Sequence, residues 1–317
     1  MNKPEKPKLI IICGPTGIGK TSIGIRLAKK YAGEIISADS MQVYRYMDIG
    51  TAKPSPEERA RITHHLIDIA DPNEPFDAAA FSRLSKEIVF QLHSRGITPL
   101  VVGGTGLYIK ALIHGFFRAA PPDPEIRLKL KEEAKNSGLS ALYERLMHLD
   151  PEAAGRIHPN DAFRIIRSLE TYRLTGKKIS EHHKNHGFLE YLFEVLKIGL
   201  ILPRDILYQR INTRVDRMME SGFLKEVEGL LQRGFSPDLK PMQSIGYRHL
   251  VEFIQGKISI EDAIENLKQD TRRYAKRQLT WFKADPDVVW KSPENIFEIE
   301  QVIETFLNST PASEKPE

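Results

Sequence analysis

Short apolar runs rich in β-branched residues recur at positions 9–13, 34–38, 65–69 and 99–102, and once more at 193–202. Helical spacing separates most of them. Ile23, Leu27 and Ala28 fall on one helix face, whereas Ile10, Ile11 and Ile12 suit a strand buried on both sides. Strands alternating with helices predict an α/β fold: a parallel sheet with covering helices. Between the fourth and fifth runs the pattern is helical throughout, which predicts an inserted all-helical domain at 119–188. It opens on the proline-rich stretch Ala119-Ala120-Pro121-Pro122-Asp123-Pro124 and closes on the polar stretch His182-His183-Lys184-Asn185-His186-Gly187, and both read as linkers. The core then comprises 1–118 and 189–307. Its second part is expected to be helical after Leu202, with Ile211, Val215, Met218, Val227 and Leu230 on helical spacing. Residues 308–317 read as a disordered tail.

The first apolar run leads directly into Gly14-Pro15-Thr16-Gly17-Ile18-Gly19-Lys20-Thr21, a complete phosphate-binding loop standing between a strand and a helix. The glycines let the backbone curl until successive N–H groups point at phosphate oxygens. Lys20 adds a point charge, and the Thr21 hydroxyl is suited to Mg²⁺. The sheet is therefore expected to be P-loop NTPase-like, gripping a diphosphate or triphosphate.

The chain of 317 residues is long enough for a large core. No apolar stretch approaches the roughly 18 residues of a membrane span, so no membrane association is expected. Cys13 is the only cysteine, which excludes intramolecular disulfides and cysteine-built zinc sites and suits a cytoplasmic setting. A net charge of +4 does not by itself point to nucleic acid; where the charge sits is more telling.

Asp39 closes the second apolar run beside the phosphate loop, where open α/β sheets place their ligands. Three roles fit it: Mg²⁺ ligand, general base, or helix N-cap. Gln42 offers an amide able to pair with an adenine edge. The fourth run ends in Gly103-Gly104-Thr105-Gly106, where an ATP-driven motor would carry an acid; Thr105 suits a phosphate or substrate contact, or a simple turn cap. Arg210, Arg214 and Arg217 form a basic stripe that either closes over an anionic leaving group or faces solvent. Residues 271–283 hold five basic side chains, no acidic one and three aromatics, fitting either a nucleic-acid face or a basic helix anchored in the core. Arg164 and Arg167 add charge to the inserted domain. The histidines near its end lack a defined ligand geometry and read as linker.

Taken together, GPTGIGKT, ADSMQVYRYMDIGTAKP, GGTGLY, the Arg210/Arg214 helix, QSIGYR at 243–248 and KRQLTWFK at 276–283 resemble the tRNA dimethylallyltransferases over about residues 8 to 290. The phosphate loop is generic, but DSMQVY followed by DIGTAKP is specific. The zinc finger that eukaryotic members often carry cannot be built from one cysteine, so the chain resembles the bacterial type. The resemblance implies transfer of a dimethylallyl group from dimethylallyl diphosphate to N6 of the adenosine 3′ of the anticodon, with Mg²⁺ as cofactor and a monomeric protein. It implies Asp39 as the base, with Lys20, Thr21, Thr105, Arg214 and the loop amides on the diphosphate. For the anticodon stem-loop it implies contacts at Asp39, Ser40, Met41, Gln42, Thr105 and Arg127, and at Phe163, Arg164, Ile165, Ile166 and Arg167. Further contacts are implied at Gln243, Ser244, Ile245, Gly246, Tyr247 and Arg248, and at Lys276, Arg277, Gln278, Leu279, Thr280, Trp281, Phe282 and Lys283. An anticodon loop suits such a site because its target base leaves the stack at low cost.

Overall fold

The computed structural model describes residues 6–115, 123–186 and 192–309. The chain opens with β1 (Lys8–Cys13), α1 (Lys20–Lys30), β2 (Gly33–Ala38), α2 (Pro56–Arg61), β3 (His64–His65), α3 (Ala78–Ser94), β4 (Thr98–Gly103) and α4 (Gly106–His114). Five helices follow: α5 (Pro124–Ser137), α6 (Leu139–Leu149), α7 (Pro151–Ala154), α8 (Ala162–Thr175) and α9 (Ile179–His186). The rest is β5 (Glu194–Leu200), α10 (Arg204–Glu220), α11 (Phe223–Gln232), α12 (Tyr247–Ile254), α13 (Ile260–Lys283), β6 (Val288–Lys291) and α14 (Ile296–Asn308). Two compact units result, one of Met1–Ile113 with Tyr191–Glu317 and one of His114–Glu190.

The larger unit is built on a six-stranded sheet in the order β3-β2-β4-β1-β5-β6, with every pairing parallel. β1 lies near the middle and alternates between two cores. Leu9, Ile11 and Cys13 join Phe81, Leu112, Phe223 and Leu267 on one face; Ile10 and Ile12 join Leu27, Ile211, Ile299 and Ile303 on the other. Each fully buried side chain of this size contributes about 1.5–3 kcal/mol, which explains a strand with almost no polar position. Cys13 is one of these packing residues, and burial pushes its thiol up to about 12, so it is an inert thiol.

Three expectations need correction. The run at 65–69 forms a strand only at its start, where β3 sets His64 and His65 opposite Ile35 and Ile36. Leu66 (φ 61°) and Asp68 (φ 56°) then turn through the left-handed region, and Asp68 is held there by Lys53 and Arg59 at 2.6 Å each. The stretch after Leu202 is not wholly helical, because β6 extends the sheet beside β5. Lys197 of β5, buried, draws in Asp285 at 2.7 Å and Asp287 at 3.3 Å just before β6 begins. Finally, α9 runs to His186, so 182–186 is helix rather than linker. Residues 116–122 and 187–191 fall outside the described residues, as do 310–317 of the expected tail. Asn308 belongs to α14.

The smaller unit has its own core of Leu130, Leu142, Leu146, Ile165, Ile166 and Leu169. Asp123 caps α5 by accepting from the Glu125 and Ile126 amides, and Pro124 occupies the first helical position. Glu170, fully buried, is neutralised by Arg127 and Arg167 at 2.8 Å each and accepts from the Asp123 amide at 3.1 Å.

Candidate active site

Register brings the carboxyl ends of three strands level. Cys13 pairs with Gly103, and Gly103 with Ala38, so Gly14, Gly104 and Asp39 begin the three adjoining loops side by side. The absence of side chains is required here. A Cβ on Gly103 would lie 2.1 Å from the Ala38 carbonyl oxygen, and one on Gly104 would lie 2.2 Å from Gln278 Nε2. Gly17 (φ 79°) and Gly19 (φ 100°) supply the left-handed backbone of the phosphate loop, and Gly17 also abuts Ile211 of α10. α1 starts at Lys20 without a side-chain cap or an acidic residue in its first turn, which leaves its N-terminal amides suited to an anion. Lys20 Nζ donates to the carbonyls of Gly14 (3.0 Å) and Pro15 (2.8 Å).

Gln278 of α13 locks two of these loops together. Its Oε1 accepts from the Thr16 amide at 2.9 Å, and its Nε2 donates to the Gly104 carbonyl at 2.8 Å. Asp39 Oδ1 accepts from the Met41 and Gln42 amides at 2.9 and 3.3 Å, a local turn rather than a helix cap; among the described residues Oδ2 accepts no hydrogen bond. Thr105 Oγ1 accepts from the Ser40 amide at 3.1 Å and the Thr105 amide donates to the Ala38 carbonyl at 3.1 Å, which ties the Asp39 loop to α4.

The charges around Asp39 are mutually dependent. Burial pushes the Lys20 ammonium down to about 8; Asp39 opposes the shift and Arg214 reinforces it. Burial also lowers Arg214, with Asp39 opposing. Tyr274 of α13 is pushed up to about 12 by burial and by the Asp39 charge, so its hydroxyl keeps its proton. Lys20, Thr21, Asp39, Arg214, Tyr274 and Arg277 all line one cavity of about 360 Å³. The 50–52 turn, residues 243–245, Tyr247 and Arg248 line that cavity as well. Glu226 fixes the turn by accepting from the amides of Asp48 (2.9 Å), Ile49 (2.7 Å) and Gly50 (3.1 Å) and from the Tyr247 hydroxyl (2.6 Å). A second cavity of about 780 Å³ shares Gly17, Gly19, Ala52, Arg214 and Met218 with the first and adds Lys53, Arg59, Arg210 and Arg217. The arginine stripe of α10 therefore faces cavities, although Arg210 also pairs with Glu294 at 3.0 Å.

The residues expected at the RNA differ in how far they are free to meet it. Ile165 and Ile166 belong to the core of the smaller unit; Tyr247, Gln278 and Phe282 are buried in the larger one, and Gly246 is packed under Phe223. Both ends of the Gln42 amide are used internally. Its oxygen accepts from Ser37 Oγ at 3.0 Å and its nitrogen donates to the Thr51 and Ala52 carbonyls at 3.3 Å, so the anticipated adenine pairing is not what this side chain offers. Arg127 and Arg167 are committed to Glu170, Arg248 pairs with Asp270, and Gln243 and Ser244 donate to the Pro237 and Pro241 carbonyls. Ile245 and Leu279 pack against the cores. Left facing solvent are Phe163, 74% exposed, with Arg164, Lys276, Arg277, Thr280, Lys283 and Trp281; the indole lies where a Gly106 Cβ would be. Among the described residues no group of three or more His, Cys, Asp or Glu side chains could hold a metal ion.

Sequence reasoning missed Tyr274 and Glu226. Tyr274 was visible only as an aromatic in a basic helix. Glu226 carries no local signal, since its role depends on helix packing.

Residues 42–285 match the family model described as IPP transferase. A tRNA dimethylallyltransferase of Desulfosudis oleivorans is 54% identical over 96% of this chain and 97% of its own length. Among solved structures, the full-length tRNA isopentenylpyrophosphate transferase of Bacillus halodurans is 43% identical with a TM-score of 0.71, covering 95% of this chain and 97% of that one. A eukaryotic dimethylallyltransferase acting on tRNA is 32% identical with a TM-score of 0.80, covering 97% and 81%. With the parallel sheet, the phosphate loop and relatives matching along nearly the whole length, the chain belongs to the IPP transferase family, that of the tRNA dimethylallyltransferases.

Proposed function

We propose that this chain transfers the dimethylallyl group of dimethylallyl diphosphate to N6 of the adenosine adjoining the anticodon on its 3′ side, releasing diphosphate. The observation that carries this reading is the single cavity lined by both the phosphate-gripping set, Lys20, Thr21 and Arg214, and the carboxylate of Asp39. An adenine amino group is a weak nucleophile because its lone pair is delocalised into the ring. As the N6–C bond forms, Asp39 takes the N6 proton, a contribution of about 10²- to 10⁴-fold in rate. The allylic C–O bond breaks on the other side, and its electron pair leaves with the diphosphate oxygen. Lys20, Arg214, Thr105 and the loop amides of residues 17–21 stabilise that developing charge.

The donor set fits a magnesium ion. Thr21 offers a hard oxygen to a small chamber that Ser37 and Asp39 also line, beside the phosphate loop, which suits a cation bound largely through phosphate oxygens and waters. When bound, Mg²⁺ supplies charge neutralisation at the leaving diphosphate. In this reading Thr21 holds the ion while Lys20 and Arg214 orient the phosphates.

For tRNA, the exposed Lys276, Arg277, Lys283 and Trp281 of α13 support a phosphate-binding and stacking face, and Phe163 and Arg164 support a second one on the inserted unit. Among the described residues no helix is long and apolar enough to cross a membrane. We infer a monomer acting in the cytoplasm. Single-turnover transfer from labelled dimethylallyl diphosphate to an anticodon stem-loop tests the function. Label on the adenosine, lost when its amino group is replaced by oxygen, is the expected result. Unlabelled RNA, with phosphate transferred from ATP instead, would assign the loop to a kinase.

A further inference from the structure

Beside the main cavity lies a chamber of about 40 Å³, walled by residues that include Lys20, Thr21, Ser37, Asp39, Gln42 and His64. Lys20, Thr21, Asp39 and Gln42 line both spaces; His64 lines only the chamber. The ring of His64 is fixed in one tautomer. Its Nδ1 lies 2.8 Å from the Ile62 carbonyl, which can only accept, so Nδ1 carries the proton and Nε2 presents a lone pair. That Nε2 is buried and has no hydrogen-bond partner among the described residues, whereas nearly all buried polar atoms have one. Burial also lowers the basicity of the ring, which keeps it neutral and accepting.

A water needs at least about 10–15 Å³ of such space, so the chamber has room for one or more. The walls offer a second acceptor. Ser37 Oγ gives its proton to Gln42 Oε1 at 3.0 Å, and the Gln42 amide is held in that orientation by the Thr51 and Ala52 carbonyls, so the lone pairs of Ser37 Oγ remain. A water with both protons to donate and its oxygen engaged elsewhere would satisfy both acceptors. A water bound to a cation is of that kind.

We propose that His64 is a positioning residue whose Nε2 accepts a hydrogen bond from a water in the hydration shell of the divalent cation at Thr21. This rests on the reading of Thr21 as the cation's protein ligand. His64 would then fix the cation, and through it the diphosphate, without touching either.

The test uses Mn²⁺ as the cation and inorganic diphosphate as the anion, with bound Mn²⁺ measured by electron paramagnetic resonance. His64→Leu removes the acceptor; His64→Gln retains a polar amide at the Nε2 position. The expected result is that His64→Leu weakens Mn²⁺ binding in the presence of diphosphate by about tenfold or more. His64→Gln should recover most of that loss, and metal-free diphosphate binding should be the same in all three proteins. Wild-type affinity in His64→Leu, with binding lost in Thr21→Ala, would overturn the role of His64 and leave the cation at Thr21 standing. Equal Mn²⁺ binding by wild type and Thr21→Ala would remove the cation from Thr21 and the inference with it. In the unmutated protein, ¹⁵N spectra provide a check that does not depend on variant folding. Adding Mg²⁺ and diphosphate should move the His64 Nε2 resonance toward a hydrogen-bonded acceptor while Nδ1 stays protonated. An unmoved Nε2 resonance would contradict the proposal.

Discussion

Lys20→Met should stabilise the ligand-free protein while destroying its activity. Burial holds the Lys20 ammonium at about 8 instead of 10.5, with Arg214 adding to the shift and Asp39 opposing it. At about 1.4 kcal/mol per pH unit, that depression amounts to about 3 kcal/mol held against the folded state at neutral pH. The two hydrogen bonds from Nζ to the Gly14 and Pro15 carbonyls offset part of it, at about 1 kcal/mol each. The net expectation is a gain of about 1–2 kcal/mol for the methionine variant. The pH dependence identifies the cause. Because the folded value lies below the unfolded one, the unfolded chain binds the extra proton between pH 8 and 10.5, and wild-type stability rises with pH over that interval. The advantage of Lys20→Met should therefore be constant below pH 8 and shrink from 8 to 10.5, other titrating groups cancelling in the difference. Urea unfolding of both proteins across this range measures it directly. A variant less stable than wild type at neutral pH, or a gap that does not change with pH, would show that the buried Lys20 charge does not oppose folding.

Two further perturbations separate scaffold from surface. Gln278→Leu leaves the Thr16 amide and the Gly104 carbonyl without their partner and should cost about 2–4 kcal/mol in thermal or urea unfolding, with weaker diphosphate binding; unchanged stability would deny the locking role. Phe163→Ala removes a side chain that is 74% exposed, so stability should stay within about 0.5 kcal/mol. If the ring stacks on a base, affinity for an anticodon stem-loop should fall by about 1–3 kcal/mol in fluorescence anisotropy, and an unchanged affinity would remove it from the RNA face.

Much of this molecule was legible because the relevant signals are local. The phosphate loop, the strand before it and the helix after it are one contiguous stretch, and Ile10–Ile12 has no amphipathic alternative to a doubly buried strand. What escaped was set by long-range geometry. β6 is a four-residue edge strand that exists because β5 pairs with it and Lys197 gathers Asp285 and Asp287. The run at 65–69 looked like a strand by composition, but Lys53, itself buried, holds Asp68 in a left-handed turn. Gln278 lay in a basic, aromatic segment that suggested an RNA contact, yet its amide spans two loops more than 170 residues away in sequence. Motif blocks indicate which residues gather, but not which side chains turn inward.

Asp39→Ala, assayed by single-turnover transfer of labelled dimethylallyl to an anticodon stem-loop, isolates the proton-accepting role of the carboxylate. A general base acts mainly in the transition state, so the rate should fall by about 10²- to 10⁴-fold while affinity for the stem-loop stays within about twofold. Transfer at the wild-type rate would contradict that role and leave the carboxylate as no more than the cap of its own turn.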